Sequence, residues 1–269
     1  MEALNRLALY FKAAMARRAP HLSGAPCLPK ALLPDAPYSR AAYNSFVVWI
    51  QQLGLSSVAT VVDVGANHGD FSRAASLLFP SAKVLLVEPL PKLQQLLQGV
   101  IEKRRPNWRL IPCALGSQPG RFPLFVDENR DDIGSLVGFS DEYRAVRPEA
   151  RASREILCDV KTLDAVSTEF GLHGIDLLKI DVEGFEFEVL NGASEILRKT
   201  TAVIVEVSLV RRSDAQNALL EMLERLVRGG FEVVNVIPSL FDQREPWRPR
   251  EFNVLVRRTG PFQGAGNPG

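Results

Sequence analysis

LLKIDVEGFEFEVL, Leu177–Leu190, joins two periodicities in fourteen residues. It opens as a mainly apolar run from Ile175 to Ile180, interrupted only by Asp176 and Lys179, which is how a strand covered on both faces reads. It then turns through Asp181-Val-Glu183-Gly184, and from Phe185 the apolar positions Val189, Leu190, Ala193, Ile196 and Leu197 fall at helical spacing. Acidic side chains therefore stand at the carboxyl end of a central strand. In open α/β sheets that edge is where ligands bind.

A second turn of the same kind lies about a hundred residues earlier. Thr60–Val64 (TVVDV) is a β-branched strand that breaks at Gly65-Ala66-Asn67-His68-Gly69, and a helix is expected from Asp70, whose carboxylate suits a helix N-terminus. Lys83–Val87 is the next strand and ends at Glu88-Pro89; Leu93, Leu96, Leu97, Val100 and Ile101 follow as a helical stripe. Trp108–Cys113 is a third strand that closes at Ala114-Leu-Gly116. After the opening element come a strand over Thr201–Val207 and a helix marked by Leu219, Met222, Leu223 and Leu226. Two final strands, Phe231–Ile237 and Glu251–Arg257, have no helix between them. Repeated strand–helix alternation implies right-handed crossovers and a mostly parallel sheet; the helix-free last pair implies an antiparallel end.

Residues 117–160 break the alternation. Short strands at Arg121–Val126 and Glu155–Val160 flank a polar insertion, read here as a lid or substrate loop. Arg130, Asp132, Ser135 and Tyr143 are its side chains that could reach a substrate. The N-terminal part, 1–56, reads as an extension: an amphipathic helix over 4–18, a proline-rich stretch from Pro20 to Pro37, and a helix from about Ser39 to Leu53 closed by Gly54. The main domain is expected over 57–259, and 260–269 is a Gly/Pro-rich tail.

Composition narrows the function classes. A net charge of +1 gives no ground for a nucleic-acid partner. Cys27, Cys113 and Cys158 are scattered, with no CxxC pair, which argues against a disulfide framework or zinc site and suits a cytoplasmic protein. No apolar run reaches the roughly 18–20 residues of a spanning helix. The turn at Gly65 lacks the spacing of the G-x-G-x-x-G dinucleotide fingerprint, because Asn67 takes the second glycine position, and this speaks against a nicotinamide enzyme. Glu88, at the end of the second strand, stands where an acidic residue accepts hydrogen bonds from ribose hydroxyls.

VVDVGANHGDFS, LVEPLPKLQQLL, IPCALGSQPG, VKTLDAV and LLKIDVEGFEFEVLNGASEIL, in that order, resemble the successive motifs of the FkbM-type methyltransferases, which have the class I S-adenosylmethionine-dependent fold. The likeness runs in register over about residues 60–210. It implies an α/β, Rossmann-like architecture: a seven-stranded, mostly parallel sheet, an antiparallel last strand, and helices on both faces. It further implies S-adenosyl-L-methionine as cofactor and O-methylation of a hydroxyl on a sugar, glycan or secondary metabolite. A protein that binds the cofactor without turnover is the alternative. Cofactor contacts are carried over to Asp63, Gly65, Ala66, Asn67, Gly69, Glu88, Pro89 and Ala114, and the transfer centre to Asp181 and Glu183. Asp181 is the first candidate for general base or acceptor orienter and Glu183 the second. The same two carboxylates can bind a divalent metal through oxygen, although the sequence supplies no complete ligand shell. Where the family usually has an acidic residue before its final apolar strand, this chain has Asn253. Neither acceptor nor oligomeric state is legible.

Overall fold

The structure, a computed structural model, describes residues 40–104, 106–127, 134–138, 153–209, 219–241 and 247–260. The expected helix over 4–18, the proline-rich stretch, Arg130, Asp132, Tyr143 and the tail beyond Gly260 lie outside them.

Helix α1 (Arg40–Gln52) precedes strand β1 (Thr60–Val64), and α2 (Asp70–Leu78), β2 (Lys83–Val87), α3 (Pro91–Arg104) and β3 (Trp108–Ile111) continue the alternation. The later part of the frame is β8 (Ile175–Ile180), two short helices α5 (Glu186–Asn191) and α6 (Ser194–Leu197), β9 (Thr200–Ser208), α7 (Leu219–Arg228), β10 (Phe231–Phe241) and β11 (Pro249–Arg258). They form one seven-stranded sheet in the order β10-β11-β9-β8-β1-β2-β3. β11 is antiparallel to both its neighbours, and the pairs from β9 to β3 are parallel. That is the topology of the class I methyltransferase fold.

Apolar runs become necessary because both sheet faces are covered. On one face Val61, Leu86, Leu177, Ala202 and Ile204 pack against Val47 and Ile50 of α1, Leu53 just after it, Phe71 and Ala75 of α2, and Leu97 of α3. On the other, Val62, Val64, Leu178, Ile180, Val203 and Val205 meet Leu163, Val189, Leu190, Ile196, Met222 and Leu226. Helix α1, although it falls in the sequence's N-terminal extension, is thus part of this packing. Among the described residues no helix is long and apolar enough to cross a membrane.

Two local expectations change. The helical stripe from Phe185 to Leu197 is not one helix: it breaks at Gly192, where an added Cβ would lie 2.0 Å from the Gly116 carbonyl oxygen. The second piece starts there because Asp164 accepts from the amides of Glu195 and Ile196. The insertion is also more than a loop. Strands β4 (Ala114–Leu115), β5 (Gly120–Asp127), β6 (Gly134–Ser135) and β7 (Ser153–Lys161) make a second sheet in the order β4-β7-β5-β6. Its Leu124, Val126 and Val160 pack on Leu90 and Leu93 at the start of α3. Helix α4 (Leu163–Glu169), capped by Thr162, returns the chain to the main sheet.

The β1–β8 pairing sets the height of both turns. Val64 is in register with Ile180, and the Asp181 amide donates to the Val64 carbonyl at 3.0 Å. Gly65 follows with φ +75°, and a Cβ there would lie 1.8 Å from the Asp181 carbonyl oxygen. Replacing Gly65 by alanine should cost about 3 kcal/mol of unfolding free energy, from the positive φ and the backbone collision together. Urea titration of the purified variant measures this; a loss below about 1 kcal/mol would show that the two turns can separate without penalty.

Candidate active site

Three strand ends converge on one point. The amides of Gly65 and Ala66 both donate to the Val87 carbonyl at 3.0 Å, fastening the first turn to β2. Glu88, the next residue, accepts from the Asn67 amide at 2.8 Å through one oxygen and from the Leu90 amide at 2.9 Å through the other. Asn67 itself is left-handed, φ 50°, a conformation that asparagine tolerates better than most residues. Burial pushes the Glu88 carboxyl up to about 7, against the lowering effect of those two amides.

The Asp181–Gly184 turn is held from within. Glu183 has φ 59° and Gly184 φ 100°. One oxygen of Glu186 accepts from the amides of Val182 at 3.1 Å and Gly184 at 3.0 Å, bracketing Glu183. Burial raises the Glu186 carboxyl to about 7.

Between the two turns sits a buried ammonium. Lys179 is in register with Asp63, and its Nζ lies 3.0 Å from Asp181 Oδ2 and 3.9 Å from Asp63 Oδ1. Burial opposes the charge on Lys179, but Asp181 and then Asp63 hold its pKa above the ordinary lysine value. Asp63 is fully buried and accepts from Ser72 Oγ at 2.6 Å; burial lifts its carboxyl to about 6. Phe46 of α1 and Phe71 of α2 stack edge-to-face, each with its ring centre 5.9 Å from the ammonium.

Phe46, Phe71, Glu88, Lys179 and Asp181 help wall a cavity of about 320 Å³ at the carboxyl edge of the sheet, beside the turns that follow β1 and β8. A crevice of that size at a topological switch point suits a small ligand. Leu124, Gly134 and Leu136 of the insertion form part of its wall. Cys113 also borders it, with a thiol raised to about 11 by burial, so it is no nucleophile near neutrality.

The sequence matches a family model described as the methyltransferase FkbM domain over residues 63–233. The chain belongs to the FkbM methyltransferase family. Its relatives include "31-O-demethyl-FK506 methyltransferase FkbM" of Streptomyces tacrolimicus, 30% identical over 219 residues, which cover 74% of this chain and 80% of that one. Methyltransferase sdnD of Sordaria araneosa is 29% identical over 231 residues (76% and 83%). The 2-O-methyltransferase NoeI of Sinorhizobium fredii (strain NBRC 101917 / NGR234) is 28% identical over 211 residues (74% and 79%). Among solved structures, Aeropyrum pernix fibrillarin with natively bound S-adenosyl-L-methionine is a distant likeness in fold alone, at 14% identity and a TM-score of 0.43 over 80% of this chain and 76% of that one.

In this family member Gly65, Ala66, Asn67, Glu88, Pro89, Ala114, Asp181 and Glu183 all stand in the cavity wall. Asp63 and Gly69 do not. Asp63 points to the α2 face of the sheet, where Ser72 and Lys179 meet it, and Gly69, φ +78°, makes the turn into α2 against Leu97. Sequence reasoning missed Phe46, which lies outside the matched motifs, and Glu186, whose clue was an acidic residue two places after a turn glycine. Asn253 pairs in register with Glu206 on β9, and it is buried. Among the described residues no group of three or more His, Cys, Asp or Glu side chains is placed to hold a metal ion.

Glu88 gives the site a signature in pH. Its folded pKa, about 7, exceeds the ordinary 4.5, so the folded chain keeps a proton that the unfolded chain has released. The contribution to stability is full below about 4.5 and is lost as the pH rises through 7. Relative to wild type, Glu88→Gln should gain about 3 kcal/mol between pH 4.5 and about 8. Paired urea titrations at the two pH values measure the change; a constant difference would place the Glu88 carboxyl in its ordinary range.

Proposed function

We propose that this chain is an S-adenosyl-L-methionine-dependent O-methyltransferase acting on a hydroxyl of a small molecule, in the class of sugars, glycans and secondary metabolites. The observation that carries the reading is the charge of the cavity. Asp70, Glu88, Asp181 and Glu183 line it; Asp70 is paired with Arg73 at 3.2 Å, and the one ammonium among the described lining residues, Lys179, is already engaged by Asp181 and Asp63. An acidic wall suits a cationic donor and disfavours the pyrophosphate of a dinucleotide. The relatives named for O-methyl transfer support the choice of oxygen.

When bound, the donor supplies an electrophilic methyl carbon on a sulfonium, which leaves as a neutral thioether. Gly65, Ala66 and Asn67 take its methionine part, Glu88 its ribose hydroxyls, and Pro89 and Ala114 the border of the adenine. Asp181 orients the acceptor hydroxyl and receives its proton as the new carbon–oxygen bond forms; Glu183 is the second candidate for that proton. Phe46 and Phe71 give the acceptor side a hydrophobic wall. The reaction so described uses no metal, although a divalent cation on the same carboxylates is the other route to a more acidic hydroxyl.

Isothermal titration with S-adenosyl-L-methionine is the first test. Wild type should bind, and Glu88→Ala should weaken binding about tenfold or more through loss of charge-assisted hydrogen bonds. The acceptor is sought by incubating labelled donor with metabolite extracts. On the acceptor so found, Asp181→Asn should keep donor affinity and slow transfer about a hundredfold, and EDTA should leave the rate unchanged. A wild-type protein that does not bind the donor sinks the reading. Tight binding with no labelled product in any extract favours a non-catalytic binding protein.

A further inference from the structure

Glu183 is in the left-handed region, which glycine enters freely and a residue with a Cβ does not. Such a residue persists only where its surroundings over-determine it, and these positions gather at functional sites. Glu186 supplies one half of that constraint by accepting from the amides on either side of Glu183. The other half comes from 48 residues earlier in the chain: Ser135 Oγ donates to the Glu183 carbonyl at 2.7 Å and accepts from the Val137 amide at 3.2 Å. Ser135 is 1% exposed. It lies on β6, which hangs from β5 through the pairs Phe125↔Ser135 and Val126↔Gly134. Its neighbours Gly134 and Leu136 wall the cavity alongside Glu183. This hydrogen bond joins the insertion sheet to the turn after β8, beside the cavity that both help wall.

We propose that Ser135 is a positioning residue. By holding the Glu183 carbonyl it keeps Glu183 left-handed, with its side chain in the cavity wall, and it fastens the insertion sheet over the bound donor. The first part rests on the clamp alone; the second rests on the methyl-donor reading above.

The two parts are tested by different measurements. In a double-mutant cycle, Ser135→Ala should lower Tm by about 3 °C in the Glu183→Gly background, where the hydrogen bond to the backbone carbonyl is lost outright, and by less than about 1 °C in wild type, where its loss also lets Glu183 leave the strained left-handed conformation. Equal losses in both backgrounds overturn the proposal. In the second measurement, release of S-adenosyl-L-methionine is timed by mixing the complex with excess S-adenosylhomocysteine. Ser135→Ala should release the donor about tenfold faster, and Ser135→Thr, which keeps the hydroxyl, should restore the slow rate. An unchanged release rate in Ser135→Ala overturns the second part. If wild type binds no donor, the methyl-donor reading fails, and the thermal cycle still decides the clamp.

Discussion

The site rests on a backbone contact that leaves no room for a side chain. β1 and β8 are neighbours in parallel register, so the turn after one meets the turn after the other, and the Asp181 carbonyl lies where a Cβ of Gly65 would be. Everything that lines the cavity is referred to this contact. The first turn is clipped to β2 by Val87, and Glu88 ties the same turn to the start of α3. Glu186 and Ser135 hold the second turn from below and across. A glycine at the end of the first strand is commonly taken as room for a ligand. Here its nearest obligation is to another turn of the same chain, and any ligand approaches a surface that the contact has already shaped.

Charge is distributed around the same contact. Burial places Lys179 beside Asp63 and Asp181, so one cation serves two carboxylates. Further along the edge, Glu206 is held well above the ordinary carboxylate range by burial first, then by Asp181 and Glu251. Each added carboxylate makes the next harder to ionise. On the methyl-transfer reading, that pressure is relieved by a donor that arrives with its own positive charge and departs without it.

Legibility in the sequence followed the range of the interactions. β1, β2, β8 and β9 were readable because a strand covered on both faces must be apolar throughout, and that is a local signal. The antiparallel end followed from the missing helix between Phe231 and Arg257. The split at Gly192 was not readable, since its cause is the Gly116 carbonyl brought up from the far side of the insertion. Phe46 stayed hidden for a similar reason: in α1 it reads as one more apolar position, and only the packing of α1 on α2 turns its ring to the cavity. Asp63 and Asp181 look alike in the chain, each after an apolar run and before a glycine. Depth along the sheet separates them: Asp63 lies within β1, opposite Lys179, and accepts from Ser72, whereas Asp181 lies one residue beyond β8 and lines the cavity.

The antiparallel strand carries a consequence for how the chain is made. β11 lies between β9 and β10, yet it is synthesised after both. Until it emerges from the ribosome, β9 offers an open edge on the side away from β8, and β10 has no neighbour in its sheet. The half of the sheet built on β1, β2 and β3 can assemble early, while the other half waits on residues 249–258. Nascent chains of this protein therefore pass through a stage with two unpaired edges, the state in which strands from different chains most readily pair with one another.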